Sequence, residues 1–168
     1  MTSDRTPDRG SSAAPATTQR RGTVVVTTVA SDSHTWNLVY LQLLIEELGY
    51  EVVNLGACVP DRVLVDACRD LAPDLVVIST VNGHGHQDGL RVIGALRSCG
   101  ELAATPVVIG GKLGVSGKQS TGSVDALIAA GFDAVFDDAA TGKLEFSRFV
   151  TALPAASPRP VARTEAVA

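Results

Sequence analysis

Two spacings of apolar residues alternate along this chain. Residues 23–29 (TVVVTTV) form a β-branched run, the signature of a strand buried on both faces. Shorter strands are predicted over 51–55, 74–79, 106–109 and 133–136. Between them the apolar positions follow the helical period. Over 38–48, Leu41, Leu44, Ile45 and Leu48 fall on one face, and Gly49 supplies a stop. Further helices are predicted over 61–69, opened by Asp61, over 89–99, over 123–130, stopped by Gly131, and over 144–153. There is no internal repeat.

Five strands alternating with five helices predict an α/β fold: a doubly wound, five-stranded parallel sheet of the flavodoxin-like (Rossmann-like) type, three layers α/β/α. In such a sheet the ligand lies outside the carboxyl ends of the strands, at the switch in strand order. Attention therefore falls on four loops, 30–37, 56–60, 80–87 and 110–121. The expected domain runs over 22–153. Residues 1–21, rich in Ser, Thr, Pro, Ala and Arg, read as a disordered leader, and 154–168, rich in Pro and Ala, as a flexible tail.

Composition narrows the function classes. The 168 residues suit one domain, 45% hydrophobic and 19% charged. A net charge of -4 gives no basic footprint for nucleic acid. No apolar run is long enough to span a bilayer, so neither nucleic acid nor membrane is an expected partner. Cys58, Cys68 and Cys99 are scattered without a Cys-x-x-Cys pair, which argues against structural zinc. The odd cysteine count, without a signal peptide, points to the cytoplasm. Asp4 and Asp8 count against a mitochondrial transit peptide.

Three loops could carry chemistry. The first reads Ser31-Asp32-Ser33-His34-Thr35-Trp36-Asn37. An Asp two residues before a His can accept one imidazole N–H and free the other nitrogen for a metal. Alone, the pair fits a surface histidine beside a helix cap better. The next loop, Ser79-Thr80-Val81-Asn82-Gly83-His84-Gly85-His86, brings hydroxyls to a strand end. His84 and His86 could join His34 around a metal, but one His-x-His is a weak signal, and catalytic zinc takes three protein ligands. The last loop, Gly110-Gly111-Lys112-Leu113-Gly114-Val115-Ser116-Gly117-Lys118, admits close approach of a ligand to backbone. Gln119 after Lys118 spoils a Walker-type phosphate loop, and no G-x-G-x-x-G follows the first strand.

Taken in order, Asp32-x-His34, Ser79-x-Val81 and Gly110-Gly111 each follow a predicted strand. Together they resemble the cobalamin-binding module with its Asp-x-His-x-x-Gly, Ser-x-Leu and Gly-Gly signatures. The chain looks most similar to the small subunit of glutamate mutase (methylaspartate mutase), over about residues 23–153. This resemblance implies His34 as the lower axial ligand to cobalt, replacing the cofactor's own base. It implies Asp32 as the partner of His34, and Ser79, Thr80 and Val81 beside the displaced nucleotide tail. Gly110 and Gly111 would make room for that tail. Ser31, Ser33 and Thr35 would flank the ligand, and Lys112, Leu113 and Gly114 would continue the tail-binding loop. No residue of this chain is expected to be catalytic by itself.

The implied cofactor is adenosylcobalamin, and the implied reaction interconverts L-glutamate and threo-3-methylaspartate. The chain is too short to hold a substrate barrel too, so the resemblance implies a large catalytic subunit that holds the amino-acid substrate, as two small plus two large chains. The alternatives are the small subunit of an acyl-CoA mutase and a non-enzymatic cobalamin-binding sensor module. Three departures stand out: Asn37 where the family has Gly, Val81 where it has Leu, and Asp137-Asp138 where it often has a Pro-Gly-Thr turn.

Overall fold

In the computed structural model, residues 21–114, 121–137 and 141–154 are described. The elements are β1 (Thr23–Thr28), α1 (Trp36–Glu47), β2 (Glu51–Gly56), α2 (Asp61–Leu71), β3 (Leu75–Thr80), α3 (Gly85–Ser98), β4 (Val107–Gly111), α4 (Thr121–Ala130), β5 (Ala134–Phe136) and α5 (Gly142–Ala152). A short 3-10 turn, Gly100–Leu102, precedes β4. All strand pairs are parallel, in the order β2-β1-β3-β4-β5. This is the flavodoxin-like order, whose switch point lies between β1 and β3.

The apolar runs 24–26 of β1 and 75–78 of β3 follow from burial on both faces. Val25, Val76, Ile78 and Ile109 pack with Leu64, Ile93, Leu96 and Leu127 from α2, α3 and α4. On the opposite face Val24, Val26, Leu75, Val77 and Val108 meet Leu38, Ile45, Phe146 and Val150 from α1 and α5. The apolar positions expected on α1, Leu41, Leu44 and Leu48, pack against this second core. Phe136 sets its ring edge-on to Phe146 and Phe149, at 5.4 and 5.8 Å, which closes the sheet's β5 end under α5.

Most boundaries lie within two residues of the sequence reading, and three differences matter for the site and its surroundings. Gly110 and Gly111, expected to open a loop, instead end β4 and pair with Ser79 and Thr80. α3 starts at Gly85 rather than at 89, so His86 lies in its first turn. The reason is a close approach: a Cβ on Gly85 would come within 2.4 Å of Thr80 Cγ2 and 2.9 Å of Leu113. Arg21, at the end of the expected leader, is held to the domain. Its guanidinium donates to the carbonyls of Thr151 and Leu153 and lies 4.9 Å from the Tyr50 ring centroid. Most of the leader and tail lie outside the described residues, as does Asp138. Among the described residues no helix is long and apolar enough to cross a membrane.

Gly111 marks the tightest backbone packing. Its φ is +108°, and a Cβ there would sit 2.1 Å from the Thr80 carbonyl oxygen. That carbonyl accepts the Lys112 N–H at 2.7 Å. Gly111→Ala is expected to destabilise the domain by about 2–4 kcal/mol, from backbone strain plus overpacking. Urea unfolding checks this; a loss below about 1 kcal/mol would mean that the strand end relaxes freely.

Candidate functional site

The loops after β1 and β3 meet at the switch point, and a buried carboxylate joins them. Asp32 is 0% exposed. Its Oδ1 accepts the His34 backbone N–H at 2.9 Å and faces the His34 imidazole Nδ1 at 2.7 Å. Its Oδ2 accepts the Val81 N–H at 2.5 Å, 49 residues away in sequence. The Asp32 carbonyl accepts the Thr28 hydroxyl at 2.6 Å and the Cys58 N–H at 3.0 Å. One residue thus ties together the ends of β1, β2 and β3.

The charge on Asp32 is maintained despite its burial. Desolvation pushes its pKa up, but the N–H groups of Val81 and His34, the His34 ring and the Thr80 hydroxyl outweigh that, so it lies below the usual 3.8. The His34 ring is about half exposed. With Nδ1–H donated to Asp32, the lone pair of a neutral imidazole is on Nε2, the nitrogen free to bind a metal.

The remaining candidates fall into two groups around this centre. Ser79 and Thr80 are buried at the end of β3, and Val81 follows in the loop. The Ser79 hydroxyl accepts from the Asn37 amide at 2.5 Å, linking the first turn of α1 to β3. Gly110 pairs with Ser79, and Lys112, Leu113 and Gly114 follow β4. A Cβ on Gly110 would lie 2.8 Å from the Phe136 carbonyl oxygen, so the absence of a side chain serves sheet packing. Ser33, Thr35, Lys112 and Gly114 are exposed, whereas Leu113 is buried. The Leu113 N–H points to Asp137 Oδ1 at 3.4 Å, so that carboxylate is turned toward backbone.

Sequence spacing missed a second network. The Ser31 hydroxyl donates to Asp88 on α3. Asn82 donates to the Ser31 carbonyl and hydroxyl at 3.0 and 2.8 Å. Arg91 bridges Asp88 and Asp61 at 2.6 Å each. These residues brace the His34 loop against α2 and α3. Apart from Arg91 and Asp88, three positions apart on α3, the partners are 30 to 57 positions apart and leave no local signal. His84 is exposed at the start of α3, and His86 Nδ1 is buried without a hydrogen-bond partner. Among the described residues no three His, Cys, Asp or Glu side chains converge as a metal cage.

The chain is similar to several known proteins. The family model described as B12 binding domain matches residues 22–140. A glutamate mutase sigma subunit from Halobacterium salinarum is 34% identical over 114 residues, covering 68% of this chain and 75% of that protein. The HTH-type transcriptional repressor CarA of Myxococcus xanthus is 35% identical over a shorter stretch of 83 residues, 49% of this chain and 28% of that one. Among solved structures, a cobalamin-binding protein from Desulfitobacterium hafniense is similar with a TM-score of 0.61 at 25% identity, over 78% of this chain and 60% of that chain.

Asp32→Ala is expected to cost at least about 2 kcal/mol of stability near neutral pH, because it leaves buried donors without an acceptor. A folded-state pKa below the unfolded one means that the carboxylate's contribution is complete above the unfolded value. It fades as pH falls through the folded value. The difference between wild type and variant in urea unfolding should therefore shrink below about pH 4. A gap that stays constant into the acid range would contradict this account.

Proposed function

This chain belongs to the B12-binding domain family and, within it, to the glutamate mutase sigma subunits, and on that premise we propose that it is the cobalamin-binding subunit of an adenosylcobalamin-dependent glutamate mutase. The observation that carries the reading is the Asp32–His34 pair at the switch point, a half-exposed imidazole oriented by a buried carboxylate at 2.7 Å. This donor set fits an axial ligand to cobalt: one nitrogen is committed to Asp32 and the other is free. The small residues Ser79 and Gly110, side by side at the sheet end, suit a nucleotide tail.

The residues have distinct tasks in this reading. His34 would hold the cobalt through Nε2. Asp32 holds the ring in one tautomer and keeps it electron-rich. Val81 N–H fixes Asp32, so the ring's orientation follows the end of β3. Ser79, Thr80 and the strand end at Gly110 and Gly111 accommodate the tail, with Lys112, Leu113 and Gly114 beyond them. Ser31, braced on Asp88 and Asn82, sets the loop's path. When bound, adenosylcobalamin would supply radical chemistry through its cobalt–carbon bond.

The substrate reaction, interconversion of L-glutamate and threo-3-methylaspartate, belongs in this proposal to a separate catalytic subunit, in an assembly of two small and two large chains. An uncovered apolar stripe supports a partner next to the cofactor: Trp36, Val39 and Leu43 are exposed along α1, directly after the His34 loop. The free thiols of Cys58, Cys68 and Cys99 accord with a cytoplasmic site of action. The similarity to CarA favours one second reading, a cobalamin-binding module serving a regulator.

Two measurements test the proposal. Adenosylcobalamin bound to the wild-type chain should show the visible spectrum of a base-off, histidine-ligated form. His34→Ala should lose that spectrum and bind at least about tenfold more weakly. An unchanged spectrum or affinity in His34→Ala would overturn the assignment. The purified chain alone should give no mutase turnover, and adding the large subunit should restore it. Turnover by the single chain would refute the two-subunit reading, and silence with the large subunit present would favour the regulatory one.

A further inference from the structure

Asn37 holds the position at which the family signature has glycine, and its side chain is not idle. Its amide nitrogen lies 2.5 Å from Ser79 Oγ across 42 residues of sequence. The hydroxyl it engages is buried, 3% exposed. Strand alternation sets the direction of that hydroxyl. Leu75 and Val77 pack in the core shared with α1 and α5, so Ser79, two residues on, faces the same side. Val108 packs in that core too, which puts Gly110 on the same face as Ser79 and next to it in register. The two small residues lie side by side at the strand ends, on the face covered by α1 and α5. Phe136 borders this pair on the β5 side, with its Cβ 3.2 Å from where a Gly110 Cβ would be. Asn37 reaches it from α1.

We propose that Asn37 is a latch over the nucleotide-tail slot: it occupies the Ser79 hydroxyl in the ligand-free chain and must release it before the tail enters. The inference rests on the cobalamin reading above and assigns Asn37 a role in selecting between corrinoids. A glycine at this position has no atoms to reach Ser79, so the slot would stand open. With asparagine, each binding event breaks one side-chain hydrogen bond, which lowers affinity for corrinoids that carry a tail. Corrinoids without a tail do not enter the slot and are indifferent to the latch.

The test compares adenosylcobalamin with adenosylcobinamide, the same corrin without its nucleotide. Both have the adenosyl group on the upper face, so a protein imidazole reaches cobalt only from below. Equilibrium titrations followed by visible spectra would use the full chain, with Asn37→Ala and Asn37→Gly as parallel variants and thermal unfolding as a folding control. Release of one hydrogen bond predicts that both variants bind adenosylcobalamin about three- to tenfold more tightly, with adenosylcobinamide affinity unchanged. In a Ser79→Ala background, Asn37→Ala should have no further effect, because the latch acts through that hydroxyl. Weaker binding of adenosylcobalamin by both variants, or parallel shifts for the two corrinoids, would overturn the latch while His34-dependent spectra left the cobalamin reading intact. A lack of any His34-dependent spectrum with either corrinoid would overturn the cobalamin reading and the latch together.

Discussion

The ligand-facing edge of this domain depends on a carboxylate kept charged in the interior. Asp32 is fully buried, and burial alone would favour its neutral form. Two backbone N–H groups and the hydrogens of neighbouring side chains reverse that preference. The arrangement works only if the loops after β1 and β3 lie against each other, so the hydrogen bonds of Asp32 and the docking of those loops stabilise one another. The orientation of His34 is a consequence. Its ring reaches solvent with one nitrogen committed, which a flexible surface histidine would not do.

The second constraint is steric. At the ends of β3 and β4 the backbones approach too closely for side chains: Gly111 against the Thr80 carbonyl, Gly110 against the Phe136 carbonyl, Gly85 against Thr80 and Leu113. These contacts extend β4 to Gly111 and bring α3 down onto the strand end. Packing alone therefore demands the paired glycines, and a substitution there would disturb the strand ends.

Much of the fold was legible because its signals are local. The β-branched run at 23–29, the apolar face of Leu41, Leu44, Ile45 and Leu48, and the stops at Gly49 and Gly131 each act within a few residues. Five strands alternating with five helices then leave few topologies, and the observed order is the flavodoxin-like one. The Asp32–His34 pair was legible for the same reason, since two residues of separation let the carboxylate reach the ring. The boundaries misread at Gly85 and at Gly110–Gly111 were set by long-range contacts with Thr80, Leu113 and Phe136, which outweigh the loop preference of glycine.

By itself, the sequence determined the alternation of strands and helices, the face that α1 buries, and the three short motifs that lie at the carboxyl ends of β1, β3 and β4. These follow from periodicity and from spacings of one to four residues. Only the tertiary structure decided that Val81 N–H would hold Asp32, that Asn82 and Asp88 would brace Ser31, and that Asn37 would reach Ser79. The physical reason is distance along the chain. Hydrogen bonds between groups 42 to 57 positions apart exist only once the parallel crossovers have brought the strand ends together, and no local pattern of residues encodes them.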